Sequence, residues 1–265
     1  MQINLVLSTG VNSFCYKLFK IEVNMFSKST FFLILIFCCS AVFSQSETPV
    51  ADELKKLDEQ SSKQVPQKVL DAGKKGTEEL VAAGIVKKAL NVGDIIPQFS
   101  LTDANGKQVS SSDLLRRGNL VITFYRGAWC PFCNLYLRAL QANLPEFKKY
   151  GADLVAISIE PPDRSLSVSQ QNKLSFTVLS DPKLEVSRKF GIVYEMPKVT
   201  NDAVLELGFD IAKYNGTEKA ELPLSATYVV DKKGKIVYAF LDPDYKKRAE
   251  PSEIVANLKK LKGRY

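Results

Sequence analysis

The sequence predicts one α/β domain, a mixed sheet flanked by helices, preceded by a helical N-terminal extension. Three observations carry this. Two near-continuous apolar runs, "LVITFY" at 120–125 and "LVAISI" at 154–159, read as strands buried on both faces. Each is followed by a stretch of helical spacing, so strands and helices alternate along the chain. Near the C-terminus, "ATYVVDKKGKIVYAFL" at 226–241 reads as a hairpin, two β-rich runs around the turn Asp231-Lys-Lys-Gly234. A chain of 265 residues that is 45% apolar and 25% charged suits an ordinary globular protein with one substantial domain and extensions.

The first 44 residues are set apart from the fold. "MFSKSTFFLILIFCCSAVFSQ" (25–45) has a charged start at Lys28, an apolar core over 31–43 and a small Ser44 before Gln45. This predicts a secretory signal peptide cut after Ser44, with translation starting at Met25. Its apolar core is shorter than the roughly 20 residues a membrane span needs, so no span is expected in the mature chain. Cys38 and Cys39 are weighed as lipid-attachment positions and set second, because Phe37 or Cys38 stands where a small residue belongs. The expected organisation is therefore a signal peptide over 1–44, a helical extension over 45–91 and the main domain over 92–265. Export would place the mature protein in a periplasm or outside the cell.

Within the extension, helical spacing recurs at Leu54 and Leu57, and again at Leu80, Ile85, Val86 and Leu90. Gly73 and Gly76 predict an interruption, hence one loose helix and one firmer one, and nothing there points to catalysis. In the domain, Asp103-Ala-Asn-Gly106 is a turn between extended pieces at 99–102 and 107–109. Ser111 or Ser112 is expected to cap a short helix through Leu115. After the strand at 120–125, Leu135, Leu137, Leu140 and Leu144 mark a helix that Pro145 should bend. Beyond the second strand come a helix at 163–173, a short strand at 176–179 and a helix at 183–190. Residues 191–222 read as an irregular insertion, and a last helix covers about 251–260.

Composition removes several function classes. The formal net charge is +7, but the lysines are scattered, which describes a solvated basic surface rather than a nucleic-acid site. The chain contains no histidine, so Ser-His-Asp and Cys-His catalysis and imidazole metal ligation are excluded. Removing the leader also removes Cys15, Cys38 and Cys39, leaving Cys130 and Cys133 in "FYRGAWCPFCN".

A single close pair is no disulfide scaffold. Two thiols are too few for a zinc site, and Asn134 stands where haem attachment needs a histidine. A structural disulfide over so short a loop would constrain the unfolded chain little. The position is informative: Cys130 ends a strand-to-helix turn, Pro131 suits the first helical position, and Cys133 lies in the first turn. Unsatisfied N–H groups and the helix dipole favour a thiolate there, which needs no histidine base. A redox role for the pair follows.

These residues carry a family resemblance. The stretches "VGDIIPQFSL", "FYRGAWCPFCN", "LVAIS", "VLSD", "FGIVYEMP", "LPLSATYVVD" and "FLDPDYKKRAEP" resemble the alkyl hydroperoxide reductase/thiol-specific antioxidant (AhpC/TSA) family, in its peroxiredoxin-like branch. The resemblance covers 92–260. It implies a thioredoxin-like fold, thiol-dependent reduction of hydrogen peroxide or organic hydroperoxides, a thioredoxin-like or other dithiol reductant, and no cofactor. Family members place a proline, a threonine and the peroxidatic cysteine in a P-x-x-x-T-x-x-C pattern. Laid on this chain, the pattern puts Cys133 at the peroxidatic position, Cys130 at the threonine and Arg126 at the proline. The arginine expected near Ser225 is missing, and Ser225 also stands where thioredoxin-like oxidoreductases carry a proline.

Two readings result. In the first, Cys133 attacks the peroxide, Cys130 resolves the oxidised sulfur, and Arg126 stabilises charge in place of the missing arginine. In the second, the chain is an exported thiol-disulfide oxidoreductase: Cys130, as the more exposed thiol, attacks a partner's disulfide and Trp129 lines the docking surface. A binding module with incidental thiols ranks below both, since it leaves the cysteine placement unexplained. Asp242, Asp244 and Arg248 are read as a surface ion-pair cluster capping the last helix.

Overall fold

A computed structural model describes residues 48–263, so the signal-peptide expectation, with Met25, Cys38 and Cys39, lies outside the described residues. Two helices open the described chain, α1 (Val50–Ser62) and α2 (Gln67–Ala82), followed by a single 3₁₀ turn, Ile85–Lys88. Contrary to expectation, α2 runs through both Gly73 and Gly76. At Gly76 the cost of glycine in a helix, about 1 kcal/mol, is offset by close packing. A Cβ on Gly76 would stand 2.0 Å from Thr200 Oγ1, and that hydroxyl donates to the Ala72 carbonyl at 2.9 Å.

The domain then runs β1 (Ser100–Asp103), β2 (Gln108–Ser110), α3 (Ser111–Arg117), β3 (Asn119–Tyr125), α4 (Pro131–Lys149), β4 (Ala152–Ser158), α5 (Pro162–Gln171), β5 (Thr177–Ser180) and α6 (Glu185–Lys189). The residues read as an irregular insertion form β6 (Val193–Glu195), α7 (Lys198–Glu206), α8 (Ile211–Asn215) and β7 (Glu221–Pro223). The hairpin β8 (Thr227–Val230) and β9 (Ile236–Phe240) and the helix α9 (Pro251–Lys262) complete the domain. Ser110, not Ser111 or Ser112, caps α3: its Oγ accepts from the Asp113 N–H at 3.1 Å.

The main sheet has the order β2-β1-β5-β4-β3-β8-β9. Its centre is parallel, β3 with β4 and β4 with β5, and its flanks are antiparallel. β6 and β7 pair separately. Every residue of β3 is buried, which is why the apolar run was continuous rather than alternating. Its side chains divide between two layers: Leu120, Ile122 and Phe124 enter one core, Val121 and Tyr125 the other.

The second core contains the cysteines. Helix α4 buries Phe132, Cys133, Tyr136, Leu137, Leu140, Leu144 and Phe147 there and continues without a break through Pro145. At about 1.5–3 kcal/mol for each large apolar side chain, this face fixes the helix on the sheet. Val50 and Leu54 of α1 and Ile254, Leu258 and Leu261 of α9 share the same cluster. The start of α4 is thus enclosed by the sheet, α9 and the N-terminal helix.

Candidate active site

β3 delivers the chain to the site, and the turn after it is built by specific bonds. Gly127 has φ +145, and a Cβ there would lie 2.6 Å from Trp129 Nε1 and 3.2 Å from the Glu160 carboxyl carbon. Only glycine fits. The Cys130 N–H donates to the Gly127 carbonyl at 3.1 Å, and the Ala128 N–H donates to Glu160 Oε2 at 2.9 Å. Asn134 Nδ2 donates to the carbonyls of Ala128 (2.7 Å) and Cys130 (3.2 Å), while its Oδ1 accepts from Asn172 Nδ2 at 3.0 Å. Cys130 is the N-cap residue of α4, Pro131 takes the first helical position and Cys133 the third. Both cysteines are free thiols.

Both are also buried, each 1% exposed. This corrects the expectation that Cys130 is the more accessible thiol. The two differ in charge rather than in access. Burial alone would push the Cys133 thiol up, but the hydrogen bond from Cys130, the guanidinium groups of Arg248 and Arg126, and the Arg126 backbone N–H together pull it down to about 5. Burial, and the bond it donates to Cys133, push Cys130 well above the usual thiol range. Cys133 is therefore the thiolate and Cys130 the neutral donor beside it, with the N-terminus of α4 adding positive potential.

Arg248 is the residue that sequence reasoning misplaced. It is not part of a surface cluster: it is 6% exposed, and Nη2 donates to Cys133 Sγ at 3.3 Å. Its Nη1 donates to the carbonyls of Tyr245 and Lys247. Asp242 and Asp244 do stay local, Asp242 pairing with Lys247 at 3.3 Å and Asp244 accepting from the Lys246 N–H at 3.0 Å. The guanidinium missing near Ser225 thus arrives from residues 242–250. "FLDPDYKKRAEP" was a visible motif, but 115 positions separate Arg248 from Cys133. Ser225 is buried beside the sheet with its Oγ unpartnered.

Arg126 is likewise buried, at 6% exposure. Among the described residues no carboxylate pairs with it. Its guanidinium stands 4.7 Å from the Trp129 ring centroid and 4.1 Å from that of Tyr245, where the ring faces accommodate the cation. Two cations, one thiolate and one thiol therefore share a compartment walled by aromatic rings. Phe132 adds an edge-to-face contact to Tyr245, with centroids 5.6 Å apart.

The segment 191–222 closes the compartment on another side. Phe209 packs on the half-buried Trp129 at 5.4 Å between ring centroids. The Tyr214 hydroxyl donates to Glu160 Oε1 at 3.2 Å. Glu160 is fully buried, and that burial raises its pKa. Among the described residues no group of histidine, cysteine, aspartate or glutamate side chains could hold a metal ion, and no helix is long and apolar enough to cross a membrane.

A paired, polarised thiolate at the head of a helix, in a mixed sheet flanked by helices, defines a thiol-based oxidoreductase. Residues 92–239 match the family model of the AhpC/TSA family. The chain belongs to that family, in the thioredoxin superfamily, and is a peroxiredoxin-type thiol peroxidase similar to peroxiredoxins Bcp and Q. It is 31% identical over 153 residues to peroxiredoxin Bcp of Escherichia coli K12, covering 58% of this chain and 86% of that protein. With the chloroplastic peroxiredoxin Q of Triticum aestivum it shares 28% over 180 residues, 67% of this chain and 72% of the relative. The crystal structure of peroxidoxin BcpB from Mycobacterium tuberculosis superposes with a TM-score of 0.51 at 22% identity, over 65% of this chain and 98% of that one. Reduced 2-Cys peroxiredoxin of Plasmodium vivax gives 0.52 at 14% identity, over 66% and 83%. These likenesses establish a mixed α/β thioredoxin-like peroxiredoxin fold, to which α1 and α2 are added ahead of the family domain.

Proposed function

We propose that the peroxidase works through the Cys130–Cys133 pair, with Cys133 as the peroxide-reactive thiolate. The observation that carries this reading is the 3.3 Å contact between Arg248 Nη2 and Cys133 Sγ. The thiolate attacks the distal oxygen of the hydroperoxide; the O–O bond breaks, Cys133 becomes a sulfenic acid and an alkoxide leaves. Arg248 and Arg126 stabilise the charge developing on the departing alkoxide oxygen. The Cys130 thiol donates its proton to the alkoxide, which departs as alcohol or, from hydrogen peroxide, as water. The Cys130 thiolate so formed attacks the Cys133 sulfur, expels hydroxide and closes the disulfide. Two electrons from an external dithiol of the thioredoxin kind restore both thiols.

Burial favours peroxide over a protein disulfide as the oxidant. A small hydroperoxide needs a narrow approach, whereas a partner's disulfide must bring bulky chain to a cysteine that is 1% exposed. In a chain with Cys15, Cys38 and Cys39 replaced by serine, Cys133→Ser is expected to abolish peroxide consumption. Cys130→Ser should consume one equivalent and stop at the sulfenic acid. Rapid reduction of insulin disulfides, lost in Cys130→Ser while peroxide reactivity stays ordinary, would transfer the function to thiol-disulfide exchange.

We further propose export to a periplasm or the cell exterior, supported by the charged start, short apolar core and small Ser44 at 25–45. Mass measurement of the protein recovered from cell fractions tests it: a mature chain beginning at Gln45 is expected, and an uncut chain in the cytoplasm would refute it.

A further inference from the structure

Residues 242–250 carry both Tyr245, which stacks on Arg126, and Arg248, which meets Cys133. They form no regular element among the described residues, so something else must hold them. Two residues beyond Arg248, Glu250 is the N-cap of α9 but makes no side-chain bond to its own helix. Its carboxylate reaches instead to the start of α1, accepting from the N–H of Val50 at 3.0 Å and of Ala51 at 2.7 Å. The N-cap of α1 is Pro49, which offers no side-chain acceptor. The orphan N–H groups and positive dipole end of α1 thus find their anion in Glu250.

A second tie lies on the other side of Arg248. Lys246 Nζ pairs with Asp58 Oδ2 of the same helix at 3.0 Å. Between the ties, Val50 and Leu54 are buried in the cluster that contains Phe132, Cys133 and Ala249, with Leu57 and Tyr245 packed at its edge. Helix α1 therefore grips the segment two residues before and two residues after the arginine, over a span of about 12 Å of helix. The grip also occupies Glu250. Released, that carboxylate would stand two positions from Arg248 and compete with the thiolate for its guanidinium.

We propose that α1 is a clamp that seats Arg248 on Cys133, with Glu250 as its positioning residue. The N-terminal helix, which lies outside the family domain, is on this view part of what activates the thiol. The proposal rests on the reading of Cys133 as the reactive thiolate, and its test separates the two.

The test follows the ultraviolet thiolate absorbance of Cys133, and the peroxide rate constant, against pH in the full chain with Cys15, Cys38 and Cys39 replaced by serine. Glu250→Ala is expected to move the midpoint of both curves up by about one pH unit, part of the 1–3 units an adjacent opposite charge can give. Near pH 5 the rate then falls about fivefold, while in mildly alkaline solution it stays within about twofold of the parent. Glu250→Gln keeps one acceptor oxygen and should fall between. Asp58→Asn, at a more exposed site, should move the midpoint the same way by less, and it serves where Glu250→Ala fails to fold. Parental curves in folded Glu250→Ala, or in Asp58→Asn where Glu250→Ala does not fold, with a clear shift in Arg248→Ala, would overturn the clamp and leave the peroxidase reading standing. Parental curves in Arg248→Ala would overturn the clamp together with the assignment of Arg248 to the thiol, and a peroxide rate that survives Cys133→Ser would overturn the reading on which both rest.

Discussion

Replacing Arg248 by alanine removes the charge that stands 3.3 Å from Cys133 Sγ. With an effective dielectric near 20, the gross attraction of two unit charges at that distance is about 5 kcal/mol. Arg126 and the Cys130 hydrogen bond remain, so the change observed should be smaller. Single opposite charges in contact move a pKa by about 1–3 units, and a mid-range shift carries Cys133 from about 5 to roughly 7. Near pH 6 the thiolate fraction then drops from about nine-tenths to about one-tenth, a loss of about tenfold in peroxide rate from protonation alone. In mildly alkaline solution the thiolate returns, and whatever deficit persists measures the lost stabilisation of the departing oxygen. For one donor removed from an oxyanion-type site that deficit is about 100-fold or more. Stopped-flow rate constants across pH separate the two losses. A profile that superimposes on the parent's would refute the assignment of Arg248 to the thiol.

Other consequences concern the scaffold of the site. Glu160 has its pKa raised above 4.5 by burial, outweighing the bonds from Ala128 and Tyr214. Its contribution to stability is fully present below about 4.5 and is lost as pH rises through the raised value. Glu160→Gln keeps an acceptor for the Ala128 N–H and a donor toward Tyr214, so thermal melts should show a shallower loss with rising pH. Asp181, raised by the same cause, keeps part of the slope; an unchanged slope would mean that Glu160 does not titrate in this range. Gly127→Ala forces a Cβ within 2.6 Å of Trp129 Nε1 at φ +145 and should lower stability by about 1–3 kcal/mol in denaturant unfolding. Cys130→Ala should raise the Cys133 midpoint more than Cys130→Ser, because a serine hydroxyl still donates to the thiolate; equal midpoints would show that the bond does not matter.

The parts of the fold legible in the sequence are those fixed by local pattern. β3 and β4 were continuous apolar runs because both faces of each are covered, and the Cys-Pro-x-Cys seam placed the start of α4 to the residue. Where tertiary contact overrides local preference, the sequence misled. Gly76 looked like part of a break because Thr200, whose close approach requires that no side chain stand there, is 124 positions further on. Ser111 and Ser112 were read as the caps, whereas backbone geometry sets the cap one residue earlier, at Ser110.

The segment 191–222 lacked periodicity because its elements are three to nine residues long, too short to show a period. The cysteine pair was singled out by its spacing and Arg126 by the family resemblance, whereas the place of Arg248 was missed. Its motif was visible, but a buried guanidinium and a solvated one have the same letter. Only the path of residues 242–250 across the head of α4 distinguishes them. The same holds for Glu250, whose partner is the helix that looked inert.

The most direct test is the second-order rate constant for hydrogen peroxide near pH 6, in the reduced Cys130→Ser chain that lacks the three leader cysteines. Trp129 fluorescence can report it, since that ring lies 4.7 Å from the Arg126 guanidinium beside the pair. An unperturbed thiol is almost wholly protonated there, so a rate far above that of free cysteine, abolished by Cys133→Ser, is the predicted result. A rate no better than free cysteine, or one that survives Cys133→Ser, would contradict it.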